Sequence, residues 1–494
     1  MHSNSLLLGI DIGTSACKVA LFSADGKALA QESHEYKVFY PQHGWAEQNP
    51  DDWWSSVCSA LKTLMSKNSM AARDIAGIGI DGQGWSAIPL SKDGKCLYNT
   101  PIWFDTRAHD ICKELDAKIG AERIFEICGN PLQPAYTLPK ILWYKKHQPE
   151  VYDKADKILQ SNSYIAYKLT GAVTQDICQA YGYQCFDMRT GKWDFELCEE
   201  MGIRHSLLPD IYPCHAVVGK VTRSAAELCG LCEGIPVVAG GLDAACGTLG
   251  AGVLHNGETQ EQGGQAGGFS ICTDTYSADP RLILGFHVAP DRWLLQGGTV
   301  GGGGVMKWLV DELWQDSSYD ELGKLASDVP PGSDCLVFLP YMSGERSPIW
   351  DPKAKGVYYG LDYAKTKGHM VRAALEGTVF ALRHNLEVAQ RAGATVERFR
   401  SMGGAANSTF WTQLKSDITG KPIDVPSSDT ATTLGAAILA GVATGVYASF
   451  EEAIEKTVKV KRSHEPNNEY DNIYQNNYEI FLELYERLKP IMHA

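Results

Sequence analysis

No block of lysine and arginine interrupts this chain of 494 residues, whose formal charge is −14. A nucleic-acid binder carries a basic face, so that class is excluded. Long apolar runs are also missing. Leu6–Ile10 is far too short for a membrane helix, and no other stretch reaches membrane length free of charge. Met1-His2-Ser3-Asn4-Ser5 lacks the basic region of a secretory leader, so the cytoplasm is the expected compartment. The fourteen cysteines are scattered from Cys17 to Cys335 rather than densely spaced, which predicts reduced thiols and not a secreted disulfide scaffold. The lone CxxC, Cys229-Gly230-Leu231-Cys232, has no second pair and no nearby histidine. It reads as a helix end followed by a glycine turn, with metal or redox chemistry as the alternative. Two nucleotide signatures are absent as well. Without GxxxxGK[ST] the chain is not a P-loop kinase, and the protein-kinase motif set is missing.

What is present is an ordinary globular balance, 44% apolar and 21% charged, in a chain too long for one core. Two to four domains are the prior. Leu6–Asp11 is an apolar run ending in a carboxylate, Gly13-Thr14-Ser15 is a turn, and Lys18–Phe22 is the next strand. Asp25-Gly26 marks a hairpin to a third strand within Lys27–Tyr40. Asn49 caps a helix with Pro50 in its first turn. Ile75–Asp81 is another strand ending in Asp, and Ile235–Ala239 a buried one followed by Gly240-Gly241-Leu242-Asp243 and a small-residue helix. The pattern then restarts. Thr259–Ile271 encloses Gly263–Gly268, Phe399–Met402 is a strand, Gly403–Asn407 opens a helix, and Thr433–Thr444 is a small-residue helix. A strand–glycine turn–strand unit at the start of each half predicts a duplicated α/β domain, with residues 1–254 forming one and 255–494 the other.

Three constellations carry chemistry. The turns Asp11–Ser15 and Gly263–Gly268 offer rows of backbone N–H groups that bind phosphate oxygens. One such turn alone is a tight hairpin; two, with strand-end carboxylates, favour a nucleotide. Asp11 is placed to hold Mg2+, through water because Mg2+ dehydrates reluctantly. Asp243 stands where a helix begins. It is either an N-cap or a base for a hydroxyl proton, and phosphoryl transfer asks for little more than one positioned carboxylate. Gly403-Gly404-Ala405-Ala406-Asn407 lets a flat ring approach the backbone, or else simply packs a helix start.

At these residues the chain resembles the FGGY carbohydrate kinases, and within them the xylulokinase group. Gly9–Ser15 is similar to the family's first phosphate turn, Trp45–Pro50 to a xylulokinase stretch, and Thr137–Trp143 to the first signature. Val237–Asp243 resembles the strand carrying the base. Gly356–Leu361, His369-Met370 and Ala373–Glu376 resemble the second signature. The chain departs from the xylulokinase pattern in three places: Gln83-Gly84-Trp85-Ser86 for Gln-Met-His-Gly, Ala244 for Asn after the base, and Gly264-Gln265 for Gly-Thr. The resemblance implies two ribonuclease H-like, actin-like ATPase domains with a cleft between them. Sugar would lie mainly on the first, ATP and Mg2+ mainly on the second. It implies transfer of the γ-phosphoryl of ATP to a sugar hydroxyl, with Asp243 as base. Asp11 serves the metal. Gly13, Thr14, Ser15, Gly264 and Gln265 serve phosphate, and Gly403, Gly404 and Asn407 serve adenosine. Gln83, Trp85, Asp105 and Asp243 meet the sugar. A ketopentose such as D-xylulose is the first expectation, with another ketose or a four- or five-carbon polyol second. An actin-like nucleotide switch or a sugar sensor is the reading from another class. The partner is a small molecule, with no nucleic acid or membrane; a homodimer is compatible.

Overall fold

The computed structural model describes residues 5–67, 72–428 and 430–494. The Met1–Asn4 stretch, used above to judge the presence of a leader, lies outside the described residues. None of the described helices is long and apolar enough to cross a membrane. The chain forms two compact units. The first comprises Met1–Leu254, Leu284–Leu294 and Thr430–Lys459; the second comprises His255–Ile283, Leu295–Asp429 and Val460–Ala494. Two segments beyond Leu254 thus return to the first unit.

In the first unit β1 (Leu6–Ile12) is fully buried and turns at Gly13 into antiparallel β2 (Ala16–Phe22), which pairs with antiparallel β3 (Ala28–Glu35). Alternation along β3 marks an edge with one wet face. The helix α1 (Pro50–Lys67) starts where expected, with Asn49 Oδ1 accepting from the Asp51 N–H at 3.0 Å. Strand β4 (Ile75–Gly82) then runs parallel to β1, aligning Asp81 with Asp11. After α2 (Thr137–His147), β5 (Val217–Lys220) and α3 (Arg223–Cys229), β6 (Pro236–Val238) pairs parallel with β4 and antiparallel with β5. The two-residue β7 (Gly241–Leu242) pairs with the end of β4 and leads into α4 (Asp243–Gly250). The sheet order is β5-β6-β4-β1-β2-β3.

The helix Ala431–Ala443 completes this unit by lying on β1, β4 and α4. Small residues make the approach possible. A Cβ on Gly9 would overlap the Thr433 carbonyl, one on Gly79 the Ala436 carbonyl, and one on Gly435 the Cys246 carbonyl.

The second unit repeats the pattern. β8 (Glu258–Gly263) and β9 (Gly267–Thr273) form an antiparallel pair around a glycine turn. The long α5 (Lys367–Arg391) precedes β10 (Arg398–Met402), which is parallel to β8. After α6 (Thr409–Thr419), β11 (Ile423–Pro426) lies parallel to β10, and β12 (Val460–His464) antiparallel to β11. The order β9-β8-β10-β11-β12 matches β2-β1-β4-β6-β5 in both neighbours and directions. This is the duplicated actin-like ATPase architecture expected from the sequence. The small-residue helix read at Thr433–Thr444 runs Ala431–Ala443, and a helix at Gly303–Trp308 continues as a π-turn over Leu309–Leu313.

Candidate active site

Parallel in-register strands put side chains at matching positions on one face of a sheet. Asp11 and Asp81 occupy such positions at the ends of β1 and β4, and Asp243 follows β7 two residues beyond Asp81's partner Gly241. Asp11 is 5% exposed; its Oδ2 accepts from Thr432 Oγ1 at 3.3 Å, and its Oδ1 has no hydrogen-bond donor. Burial raises its pKa, against the opposing charge of Lys18. Asp81 is fully buried and neither oxygen accepts a hydrogen bond. Burial first, then the charges of Asp11 and Asp243, push its pKa well above the carboxylate range. Asp243 is half-buried at the first position of α4, where its Oδ1 accepts from the Ala244 N–H at 2.6 Å. That is a bond to the next residue, not the N2 or N3 bond of an N-cap. Burial, then repulsion from Asp11, raises Asp243 to about 7 and outweighs the helix N-terminus, which alone would lower it.

The strand end carrying Asp243 is anchored from below. Leu242 N–H donates to Cys178 Sγ at 3.1 Å, and Cys178 Sγ–H in turn donates to Asp176 at 3.0 Å. Asp176, Cys178 and Cys214 are close enough to hold an ion, but Asp176 already accepts from Asn162, Gln175 and the Gln179 N–H. It is a satisfied internal network.

The polar groups proposed for sugar divide into two kinds. Gln83 is 1% exposed and donates to Gln48 Oε1 at 2.8 Å, while its own Oε1 has no partner. Trp85 sits at φ +61°, a left-handed conformation that few bulky residues adopt. It is edge-on to Tyr136 (4.7 Å between centroids) and Tyr181 (6.1 Å). Trp85 Nε1 and the Tyr181 hydroxyl interact with each other and have no further partner. With Gln83 Oε1 they are buried polar atoms of the kind a polyhydroxy ligand satisfies. Asp105 is different. Fully buried, it accepts from the Ala46 N–H at 2.6 Å and from Arg107 at both oxygens. Arg107 also bonds Glu47 at 2.9 Å and lies over Trp45, 4.0 Å from the ring centroid. Asp105 therefore fastens the loop; both its oxygens are spent on neighbours.

The sequence reading missed two residues. Asp81 was recognisable as a strand ending in Asp, like Asp11, but received no role. Lys140 was quoted only as part of a signature. Its buried ammonium donates to the Trp85 and Ile102 carbonyls, both at 2.9 Å, and burial depresses its pKa to about 7. It pins the strained Trp85 turn to the segment that leads to Asp105.

The two glycine turns occupy matching places, each between the first antiparallel pair of its unit. Gly13 N–H donates to the Ala16 carbonyl at 3.1 Å, Thr14 Oγ1 accepts from Trp103 Nε1 at 2.9 Å, and Ser15 is exposed. In the second unit Gly264 N–H donates to the Ala266 carbonyl at 3.0 Å, and Gln265 is exposed. The Gly403 turn lies directly against it, since a Cβ on Gly403 would come 2.7 Å from the Gly263 carbonyl oxygen. Gly403 is at φ +84°; Gly403, Gly404 and Asn407 are all exposed, and nothing lies within 4 Å of a Cβ on Gly404. An open, side-chain-free ledge beside a phosphate-type turn suits a flat base and its ribose.

A duplicated actin-like ATPase fold, with strand-end carboxylates in one unit and a paired glycine-turn ledge in the other, is that of a small-molecule kinase. The comparisons give the family. Residues 6–250 match the N-terminal domain, and residues 267–444 the C-terminal domain, of the FGGY family of carbohydrate kinases. The chain belongs to that family and is an ATP-dependent sugar kinase. It is 32% identical to a xylulose kinase of Bacillus subtilis over 448 residues, 90% of either chain. It is 30% identical over 459 residues to a gluconokinase of Bacillus licheniformis, covering 90% of this chain and 89% of that one. The crystal structure of a xylulose kinase from Rhodospirillum rubrum superposes with a TM-score of 0.93 at 29% identity, covering 99% of this chain and 100% of that one.

Proposed function

We propose that the acceptor is a neutral ketopentose such as xylulose, with Asp243 taking the proton from the hydroxyl that is phosphorylated. The observation that carries the base assignment is the place of Asp243, half-buried at the first position of α4 just past the strand end that pairs with Asp81, where burial and Asp11 raise its pKa to about 7. There a carboxylate is both ionised in good part and basic enough to accept a proton at neutral pH. Gln83 Oε1, Trp85 Nε1 and the Tyr181 hydroxyl are the groups that meet sugar hydroxyls. Charge separates a neutral sugar from a sugar acid. Asp11 and Asp243 set a negative field that the exposed Lys18 partly offsets, while Arg107 is committed to Asp105 and Glu47, and Lys140 to two carbonyls. An acidic acceptor would enter against like charge. This favours the substrate named for the xylulose kinase relatives over that of the gluconokinase.

In the second unit we assign phosphate oxygens to the Gly264-Gln265 turn and adenosine to Gly403, Gly404 and Asn407, with Gly13, Thr14 and Ser15 as the matching turn of the first. The buried, donor-free Oδ1 of Asp11 fits a hard divalent cation, which takes oxygen ligands. Asp11 would hold Mg2+, which when bound neutralises phosphate charge. The chain's own groups do the rest. Asp243 holds the proton, Lys140 fixes the Trp85 turn, and Arg107 fixes the loop through Asp105.

A coupled ADP-release screen over ketopentoses, ketohexoses, aldoses, pentitols, erythritol and gluconate tests the proposal. A ketopentose should give the highest kcat/KM. A polyol or gluconate exceeding it tenfold would overturn the substrate, and ADP release indifferent to every sugar would point to a nucleotide switch.

A further inference from the structure

Cys58 lies in the middle of α1, and Cys229 is the last residue of α3 before Gly230, which turns at φ +70°. Neither touches the groups assigned to catalysis above. Their sulfurs are 3.1 Å apart. Cys229 is fully buried and Cys58 half-buried. Lys62, one turn beyond Cys58 on α1, and Lys168 both direct positive charge at the Cys58 sulfur. The hydrogen bond from Cys229, followed by those two lysines, lowers the Cys58 pKa against the effect of burial. The same contact pushes the Cys229 thiol up. One sulfur is thus inclined to be thiolate and reachable, and the other is a protonated thiol already touching it. This is the arrangement of an attacking and a resolving cysteine.

We propose that Cys58 and Cys229 are a peroxide-oxidisable dithiol that closes to a disulfide between α1 and α3. The Cys58 thiolate attacks one oxygen of hydrogen peroxide. The O–O bond breaks, hydroxide leaves and is protonated to water, and Cys58 becomes a sulfenic acid. The Cys229 sulfur then attacks the Cys58 sulfur and the S–O bond breaks. The departing hydroxide takes the Cys229 proton as a second water. The two sulfurs together lose two electrons, and one peroxide is reduced to two waters. The partner in the disulfide is Cys58, across the helix contact, and not Cys232, the neighbour in the CxxC.

Two other cysteines make the test discriminating. Cys335 is exposed, so oxidation that followed exposure alone would select it. Cys232, three residues from Cys229, is the sequence-local competitor. The reduced, full-length protein is treated with a small excess of hydrogen peroxide, alkylated, digested without reductant and mapped by mass spectrometry. The expected product is a Cys58–Cys229 linked peptide pair, reversed by dithiothreitol and formed about tenfold faster than Cys335 is modified. Cys58→Ser should abolish the link. Cys229→Ser should stop the reaction at a sulfenic acid on Cys58 that dimedone traps. A Cys229–Cys232 link, or oxidation of Cys335 with Cys58 intact, overturns the proposal. The wild-type map decides this even if a variant folds poorly.

Discussion

Replacing Asp243 by Asn should make this enzyme more stable while removing its activity. Asn keeps the shape and can still accept from the Ala244 N–H, but it carries no charge to bury beside Asp11. The Asp243 carboxyl is raised from 3.8 to about 7 by burial and then by Asp11. In the unfolded chain it ionises near its ordinary value. The unfolded state therefore gives up its proton first, and the folded state loses stability as pH climbs from about 4 to about 7. Above that window the loss is complete. A shift of about 3 units corresponds to about 4 kcal/mol. The carboxyl retains some solvent contact, which screens it, so about 2 kcal/mol is the working figure. For a unit of this size that is about 4 °C in Tm. Thermal unfolding of the wild type and D243N, without nucleotide, should show the variant melting higher at pH 8 and the two converging near pH 4. Turnover should fall by about a thousandfold through loss of the general base. A variant that melts lower than wild type at pH 8 would refute the electrostatic argument, and near-normal turnover would refute the base.

The same carboxylate should give kcat/KM for sugar an acid limb, falling tenfold per pH unit below about 7 and level above it, read from a pH–rate profile. A limb centred near pH 4 would mean that the group titrating is not Asp243. Lys140→Met leaves the Trp85 and Ile102 carbonyls without their ammonium. It should raise KM for sugar at least about tenfold, with KM for ATP within about twofold, and lower Tm, since each buried carbonyl left unpaired costs about 1–3 kcal/mol. Gly404→Ala and Gly403→Ala form a contrasting pair. The first meets nothing and should fold normally but bind ATP more weakly. The second combines φ +84° with a 2.7 Å encounter with the Gly263 carbonyl oxygen and should unfold several degrees earlier. Equal melting temperatures would contradict the packing described for that turn.

Local features were legible in the sequence because they are written locally. The run Leu6–Ile12, its turn and Ala16–Phe22 could be read from hydrophobicity and glycine alone, and Asn49 announced its helix. The repeat of strand, glycine turn and strand pointed to the duplication that the matching strand orders display. What could not be read was long-range. Asp105 was expected to meet the sugar, but Arg107 two residues on and Ala46 about sixty positions away occupy both its oxygens, with Glu47 joined through Arg107. The left-handed Trp85 leaves no trace in composition, and nothing in Leu284–Leu294 says that it belongs with residues before Leu254. Asp81 was visible as a strand-end acid, yet its weight comes from alignment with Asp11, a property of the sheet rather than of either segment.

The Ala431–Ala443 helix has a consequence for biosynthesis. It seals one face of a sheet whose first strands are made more than four hundred residues earlier. Until a ribosome has delivered those late residues, the glycine-rich face over Gly9 and Gly79 has no cover, and the earliest strands must wait, unsealed, for nearly the whole of translation. A fragment ending at Leu254 should accordingly aggregate, and supplying residues 430–459 as a separate peptide should restore its solubility.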